Sequence, residues 1–528
     1  MPEYLHPGVY IEEIERGPRP IEGVPTSTAA FLGEAERGSI KPRLVTSYKE
    51  YQRWFGGVFG PDKFVPYAVN GFFENGGKRV YICRLVGEAA TPAQAAFGDF
   101  FVRAAGPGSW GKRIWAKIMP STTKKPDGTS VGFRLRLAYW SGNAVPFDPF
   151  TEQGRSTLPL PSLIEDFDDL VLDENSPDYF GKRVPFIDLD KGLTNQGPES
   201  SALGMLVRNP GVAASVRPAD GNQVLADGGV DDSNPLGLGT ADYNGAPANN
   251  RTETQGLEAL LLDPYREVAL LYAPNVPNDI AVKIIEHCEN FRFRFAVIDC
   301  PKGQNNASAL DPRSNLPTDS HYAAFYYPWI VTSDPSTGAR KLIPPGGHSV
   351  GVYARTDSER GVFKAPANET VRGALDLEFD INDGTQDVLN PKGVNAIRRF
   401  PGRGIRIWGA RTLTSNALWK YVSVRRLFIF LERSIYEGTQ WVVFEPNDSR
   451  LWARVTDTIR LFLRAQWRLG ALYGRTEEQA FFITCNESVM SQDDILNGRL
   501  ICEIGIAPVR PAEFVVFRIF QNTAEAQR

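Results

Sequence analysis

Val268-Ala269-Leu270-Leu271-Tyr272, an amphipathic stretch from Asp279 to Phe291, and Phe295-Ala296-Val297-Ile298-Asp299 make up the run of sequence that decides the fold. Two short β-prone segments flank residues at helical spacing, and strands joined by such a crossover lie side by side in parallel. The same grammar recurs upstream. Tyr48 to Phe55 and Val65 to Asn75 read as helices, the second stopped by Gly76-Gly77, and Arg79-Val80-Tyr81-Ile82-Cys83-Arg84-Leu85 reads as a strand. Residues 26–90 and 251–345 therefore form one discontinuous α/β domain.

What separates those halves has a different rhythm. Residues 91–211 carry alternating segments such as Ile114 to Met119 and Gly132 to Tyr139 between Pro, Gly and Asp turns, the pattern of an inserted β-rich, sandwich-like domain. Residues 212–250 are rich in Gly, Asp, Asn and Ala, and read as a flexible loop. Downstream, Ile343-Pro344-Pro345-Gly346-Gly347 reads as a joint to an α+β domain over 346–510, with long amphipathic segments at Ala417 to Tyr436 and Arg450 to Leu472. Residues 1–25 and 511–528 are extended arms: Val9-Tyr10-Ile11-Glu12-Glu13-Ile14 is β-prone and precedes three prolines, and Phe514-Val515-Val516-Phe517-Arg518-Ile519-Phe520 is β-prone without an obvious hairpin partner. The fold class is thus α/β and α+β multidomain.

The totals agree. A chain of 528 residues exceeds what one core supports, and 42% apolar with 23% charged residues is ordinary for a globular protein. No stretch approaches the roughly 18 consecutive apolar residues of a membrane span, and Met1-Pro2-Glu3-Tyr4 lacks the basic start of a signal peptide, so synthesis and initial retention in a cytoplasm are expected. Five scattered cysteines fit buried free thiols. From Pro391 onward 20 Lys and Arg face 13 Asp and Glu, against 38 and 49 before it, so a basic terminal third follows an acidic body. Either a nucleic acid or an acidic protein surface would suit it.

Motifs of covalent chemistry fail on context. Gly106-Pro107-Gly108-Ser109-Trp110-Gly111-Lys112 resembles a phosphate-binding loop, but Arg113 stands where the magnesium-holding hydroxyl belongs and a strand-like run follows. Gly347-His348-Ser349-Val350-Gly351 fits a hydrolase elbow. No histidine lies beyond Ser349, and the segment reads instead as a glycine turn entering a strand. The Asp-rich run Asp227 to Asn234 lacks the closing glutamate of a calcium loop, and His287-Cys288 has no companion pair at metal spacing. No catalytic residue, metal ligand or cofactor is expected.

Two constellations carry information. At about 100° per residue, Arg450, Arg454, Arg460, Arg464 and Arg468 fall within an arc of roughly 120°, opposite Leu451, Trp452, Val455, Ile459, Phe462 and Leu463. Such a stripe is either a solvated face or a surface for a negatively charged partner. The terminal strands are the second: each must find a sheet edge, in its own molecule or in a neighbour.

Taken in order, Pro7-Gly8-Val9-Tyr10-Ile11-Glu12-Glu13, Thr26-Ser27-Thr28-Ala29-Ala30-Phe31-Leu32-Gly33, Phe72-Phe73-Glu74-Asn75-Gly76-Gly77, Tyr326-Tyr327-Pro328-Trp329 and Gly351-Val352-Tyr353-Ala354-Arg355-Thr356-Asp357 resemble the tail sheath proteins of contractile phages and related injection systems. Pro107-Gly108-Ser109-Trp110-Gly111, Lys364 to Asn368 and Leu389 to Asn395 extend the resemblance. Trp408-Gly409-Ala410-Arg411-Thr412-Leu413 with Val424-Arg425-Arg426-Leu427 is its most specific part. The resemblance implies a structural, non-enzymatic subunit that forms stacked hexameric rings around an inner tube protein, with baseplate and terminator or cap proteins at the ends. It implies a conserved terminal domain against the tube, and arms that complete neighbours' sheets. It also implies assembly in a bacterial cytoplasm, as part of a phage virion or a phage-tail-like particle, without nucleic acid or membrane insertion. The Arg450 to Arg468 stripe then becomes the expected tube-facing surface. A basic-surface protein binding nucleic acid is the alternative reading.

Overall fold

The computed structural model describes residues 20–192, 196–232, 237–246 and 255–518. Strand β1 (Ala29–Gly33) is wholly buried, and β2 (Arg43–Val45), the helices Tyr48–Phe55 and Val65–Glu74, and β3 (Val80–Arg84) follow it. Strand β1 runs parallel to β3 with Ala29 opposite Val80, and β2 lies antiparallel on the outer side of β3. Strands β1 and β3 are buried along their whole length, so apart from Arg84 they read as apolar runs without alternation.

After β3 the chain leaves the sheet. Strands β4 (Thr91–Phe97), β5 (Phe100–Ala104), β6 (Ile114–Pro120), β7 (Phe133–Tyr139), β8 (Leu163–Leu170), β9 (Phe186–Asp188), β10 (Gly204–Arg208), β11 (Gly221–Val224) and β12 (Asp227–Val230) build a five-stranded sheet, β12-β4-β5-β10-β9, and a four-stranded sheet, β11-β6-β7-β8. Alternate residues from both, among them Phe97, Phe100 and Val102 from one and Ile114, Ile118 and Leu135 from the other, share one core. Residues 212–250 are therefore not one loop. Strand β11 pairs with β6 and β12 with β4, so part of the Gly- and Asp-rich stretch forms edges of the sandwich. Short polar edge strands carry no apolar periodicity, and their ladder bonds come from partners remote in sequence.

Strand β13 (Leu270–Tyr272), the helix Asn278–Phe291, β14 (Phe295–Asp299) and β15 (Ala323–Tyr327) return the chain to the far side of β1, all parallel. Strands β16 (Ile330–Ser333), β17 (Arg340–Ile343) and β19 (Asp376–Leu377) form a small separate sheet, while β18 (Glu369–Thr370), β20 (Val394–Phe400) and β21 (Gly404–Ile407) extend the main one. The order is β18-β21-β20-β15-β14-β13-β1-β3-β2.

Two expectations change here. The Pro-Gly stretch at 343–347 is not a joint to a new domain, because β20 pairs in parallel with β15, Val394 opposite Phe325. Nor do Gly347 to Gly351 turn into a strand: they open the helix Gly346–Arg360, buried from Gly346 through Thr356. A Cβ at Gly347 would stand 2.5 Å from Ala68 Cα, and one at Gly351 2.6 Å from the Phe72 carbonyl oxygen. Those glycines let this helix cross the Val65–Glu74 helix almost backbone to backbone, and tertiary packing overrides the poor helix propensity of Gly and Val.

The chain divides inside a later helix, Val422–Gly438. Pro25–Arg426 make one unit; residues 20–24 and 427–518 belong to the other. The α+β region expected over 346–510 is thus shared between them. Residues 346–426 belong to the parallel-sheet unit.

Candidate assembly surfaces

Most of the quoted motifs turn out to be locks of the parallel-sheet unit. Asn75 donates to the Gly71 and Arg372 carbonyls at 2.9 and 3.0 Å and accepts from the Arg372 N–H at 2.9 Å, while Arg355 donates to the Asn75 carbonyl at 3.1 Å. Asn395 spans Arg411, accepting from its N–H at 2.7 Å and donating to its carbonyl at 2.8 Å. Trp329 donates to the Cys300 carbonyl at 2.7 Å. Arg426 forks onto Asp357 at 2.5 and 2.9 Å, both side chains about 4% exposed, and also donates to the Thr26 carbonyl. A bidentate pair with a further donor on a backbone carbonyl is the arrangement that offsets the cost of burying charge.

These locks also explain the basic terminal third. Arg398, Arg411, Arg425, Arg426 and Arg433 are buried, so much of that positive balance never reaches solvent.

Nothing at the two catalytic look-alikes is arranged for chemistry. The Ser349 hydroxyl is buried and donates to the Pro345 carbonyl at 3.0 Å. His348 beside it has no hydrogen-bond partner for either ring nitrogen, and burial holds it down to about 4. Lys112 lies in a short 3₁₀ turn that runs directly into β6, as its context predicts. Among the described residues no group of three or more His, Cys, Asp or Glu could hold a metal ion, and no helix is long and apolar enough to cross a membrane.

The second unit is built around the helix Ser449–Arg468. Asp448 caps it, accepting from the Arg450 and Leu451 N–H groups, and Leu451, Trp452, Val455, Ile459, Phe462 and Leu463 form its buried face. Phe462 meets Phe430 of the preceding helix, ring centroids 6.0 Å apart. Residues 20–24 lie along that preceding helix. Val24 donates to the Ser434 hydroxyl at 3.2 Å, and a Cβ at Gly438 would stand 2.7 Å from Ile21.

All five stripe arginines lie on the polar face, but the stripe is not a row of bare cations. Arg464 forks onto Glu477 at 2.5 and 3.1 Å, and Arg460 reaches the same carboxylate at 3.7 Å and Asp457 at 3.5 Å. The hydrogen bond from Arg464, then the fields of Arg464, Arg460 and Arg468, hold Glu477 below the ordinary carboxylate range. Arg454 pairs with Glu445 at 3.5 Å and covers the Trp441 ring. Arg450 is exposed, with its backbone on the cap. Helical periodicity finds the stripe but not Glu477, which arrives from beyond the helix.

Strands β22 (Phe481–Thr484) and β23 (Glu503–Ile506) form a sheet of only two strands, Phe481 opposite Ile506. Among the described residues neither outer edge is paired with a further strand. Just beyond β23, Ala507 and Val509 exchange backbone bonds with Tyr473 and Ala471. The chain then continues without assigned secondary structure, and in it Phe514, Val515, Val516 and Phe517 are 68–83% exposed, with Arg518 after them. Ile519 and Phe520, and the whole of Val9, Tyr10, Ile11, Glu12, Glu13 and Ile14, lie outside the described residues.

Residues 240–413 match the phage tail sheath protein central domain, and residues 414–522 the phage tail sheath C-terminal domain. A Pseudomonas aeruginosa (strain UCBPP-PA14) prophage protein named for a major tail sheath is 26% identical over 278 residues, 51% of this chain and 69% of that one. The tail sheath protein of Burkholderia phage BcepMu is 30% identical over 193 residues, 34% of this chain and 40% of the phage protein, so that alignment spans under half of its relative. The helical sheath of the anti-feeding prophage, solved in its contracted state, has the same fold at 23% identity, with a TM-score of 0.57 over 98% of this chain and 99% of the other. With the two domain models together spanning residues 240–522, more than half of its length, the chain belongs to the phage tail sheath protein family.

Proposed function

We propose that the chain is the subunit of a contractile sheath, in a phage tail or a phage-derived injection particle. It polymerises as stacked hexameric rings around an inner tube protein, between a baseplate and a terminator or cap, and shortens to drive the tube through a target envelope. It does this without covalent chemistry or a cofactor, and assembles in a bacterial cytoplasm. One observation carries the reading: among the described residues, a two-stranded sheet with open edges occurs in the same unit as an exposed apolar strand-prone segment without a strand partner. Strand addition from adjoining copies answers both needs at once. With about six hydrogen bonds at roughly 0.5–1.5 kcal/mol each, one such addition holds several kcal/mol per subunit.

Identical head-to-tail joints generate an open helix, so the polymer lengthens without closing. In a lattice joined by arms, subunits rotate as nearly rigid bodies from an extended to a wider, shorter arrangement while the arms act as hinges. The arginine stripe is the proposed tube-facing surface. Arg464 and Arg460 are partly neutralised by Glu477, which suits a contact that must hold the tube and then let it slide. Electron microscopy of the full chain expressed with its tube protein tests the proposal: striated cylinders are expected, and dispersed subunits at high concentration would overturn it.

A further inference from the structure

The five cysteines are not equivalent. Cys83, Cys288 and Cys300 are sealed in the parallel-sheet unit, each at most 1% exposed. Cys485 and Cys502 instead terminate the β22–β23 ladder. Its antiparallel register sets Phe481 opposite Ile506 and Thr484 opposite Glu503, so the next step outward sets Cys485 opposite Cys502. The Ala507 N–H donates to the Ala480 carbonyl at 2.9 Å, and hydrogen-bonded and non-hydrogen-bonded pairs alternate along the ladder. Counting from that bond, Cys485 and Cys502 occupy a non-hydrogen-bonded position, where facing side chains approach closest and the Cα spacing falls within disulfide range. The two thiols hydrogen-bond to one another. Cys485 is buried, and Cys502 is only partly so.

We infer that Cys485 and Cys502 are a modification site: they close into an intrachain disulfide when the protein meets a low-molecular-weight disulfide, clamping the open-edged β22–β23 sheet. The chemistry balances by exchange. The Cys502 thiolate attacks one sulfur of the small disulfide, forming a mixed disulfide and expelling one small thiolate. The Cys485 thiolate then attacks the Cys502 sulfur and expels the second, so two protein thiols become one disulfide while one small disulfide becomes two thiols. Burial raises both groups, Cys502 to about 12, so the reaction is slow at neutral pH and quickens as the solution is made alkaline. In a reducing cytoplasm the pair stays open, and in an oxidising medium outside the cell it closes. The bond spans a loop of about 18 residues and removes conformational freedom from the unfolded chain.

The test uses the full chain purified under reducing conditions and incubated with oxidised glutathione at alkaline pH. It is then denatured in excess alkylating reagent, and peptide masses are read without reduction. Expected is one linked peptide pair joining Cys485 to Cys502, with free thiols falling from five to three, reversed by dithiothreitol. In Cys485→Ser the same treatment traps a glutathione adduct on Cys502. Loss of no thiols, a lasting glutathione adduct in the parent protein, or a crosslink between chains would each overturn the inference. A difference between oxidised and reduced protein in hydrogen exchange at 481–484 and 503–506 reads the clamp itself: slower exchange when oxidised supports it, and equal exchange removes it.

Discussion

The unit Pro25–Arg426 and the unit containing residues 427–518 solve the same problem in opposite ways. The first closes most of its needs within itself: the strands of its parallel core are flanked on both sides, two helices cross at glycine contacts, and Arg426 forks onto a buried partner, with open edges left, among the described residues, at short strands such as β2, β11 and β12. The second, among the described residues, leaves its needs in view, with open edges on a sheet of only two strands and exposed Phe514, Val515, Val516 and Phe517. Backbone groups and apolar side chains left open in one copy are the features that the proposed exchange of strands between copies would cover.

The most drastic way to break that contrast is to delete residues 511–528. The shortened chain is expected to stay folded and soluble while connected cylinders vanish from micrographs; normal cylinders would return the segment to a passive tail. Next comes the first unit. Arg426→Ala leaves Asp357 buried without its partner, and a loss of about 3–5 kcal/mol is expected in chemical denaturation. Gly351→Ala forces a methyl group against the Phe72 carbonyl and is expected to cost about 1–3 kcal/mol by the same measurement.

Acid probes the same unit. Burial holds His287, His321 and His348 down to about 3, 4 and 4. The unfolded chain takes up these protons near pH 6.5 and the folded chain does not, so stability is lost as pH falls below about 6.5. Asp299, pushed up to about 7 by burial, works in the other direction: its folded form keeps a proton that the unfolded chain releases near pH 4, so its contribution is lost as pH rises from about 4 to 7. Three groups oppose one, and the denaturation midpoint is expected to be lower at pH 5 than at pH 7, with a larger drop in Asp299→Asn. The smallest effect on folding belongs to the stripe. Changing Arg460, Arg464 and Arg468 together to Glu is expected to leave the denaturation midpoint nearly unchanged while tube-filled particles fall in yield; undiminished yield would remove the stripe from the tube contact.

How far the sequence could be read follows from where each signal originates. Val80 to Arg84, Leu270 to Tyr272 and Phe295 to Asp299 announce themselves because a strand buried on two faces is apolar along nearly all its length. The sandwich is visible in β6 and β7 because one face is core and the other is not. Strands β11 and β12 are invisible because partners remote in the chain hold them, and the Gly346–Arg360 helix is disguised because its glycines serve a crossing partner. At the candidate surface the arginine spacing was legible from helical geometry, but Glu477 enters from another element. Charge counts misled for a related reason: they cannot tell Arg426, sealed on Asp357, from Arg450 in solvent.

Ile21 sits so close to Gly438 that a Cβ there would stand 2.7 Å from it. Under the proposed exchange of strands between copies, a bulkier residue at 438 would displace Ile21 and with it the anchorage of the arm. The defect would then be borne by the adjoining copy. In a cell making both forms, a minority of altered chains would spoil a majority of sound ones, so the lesion would behave as dominant, and a screen of isolated subunits would pass it.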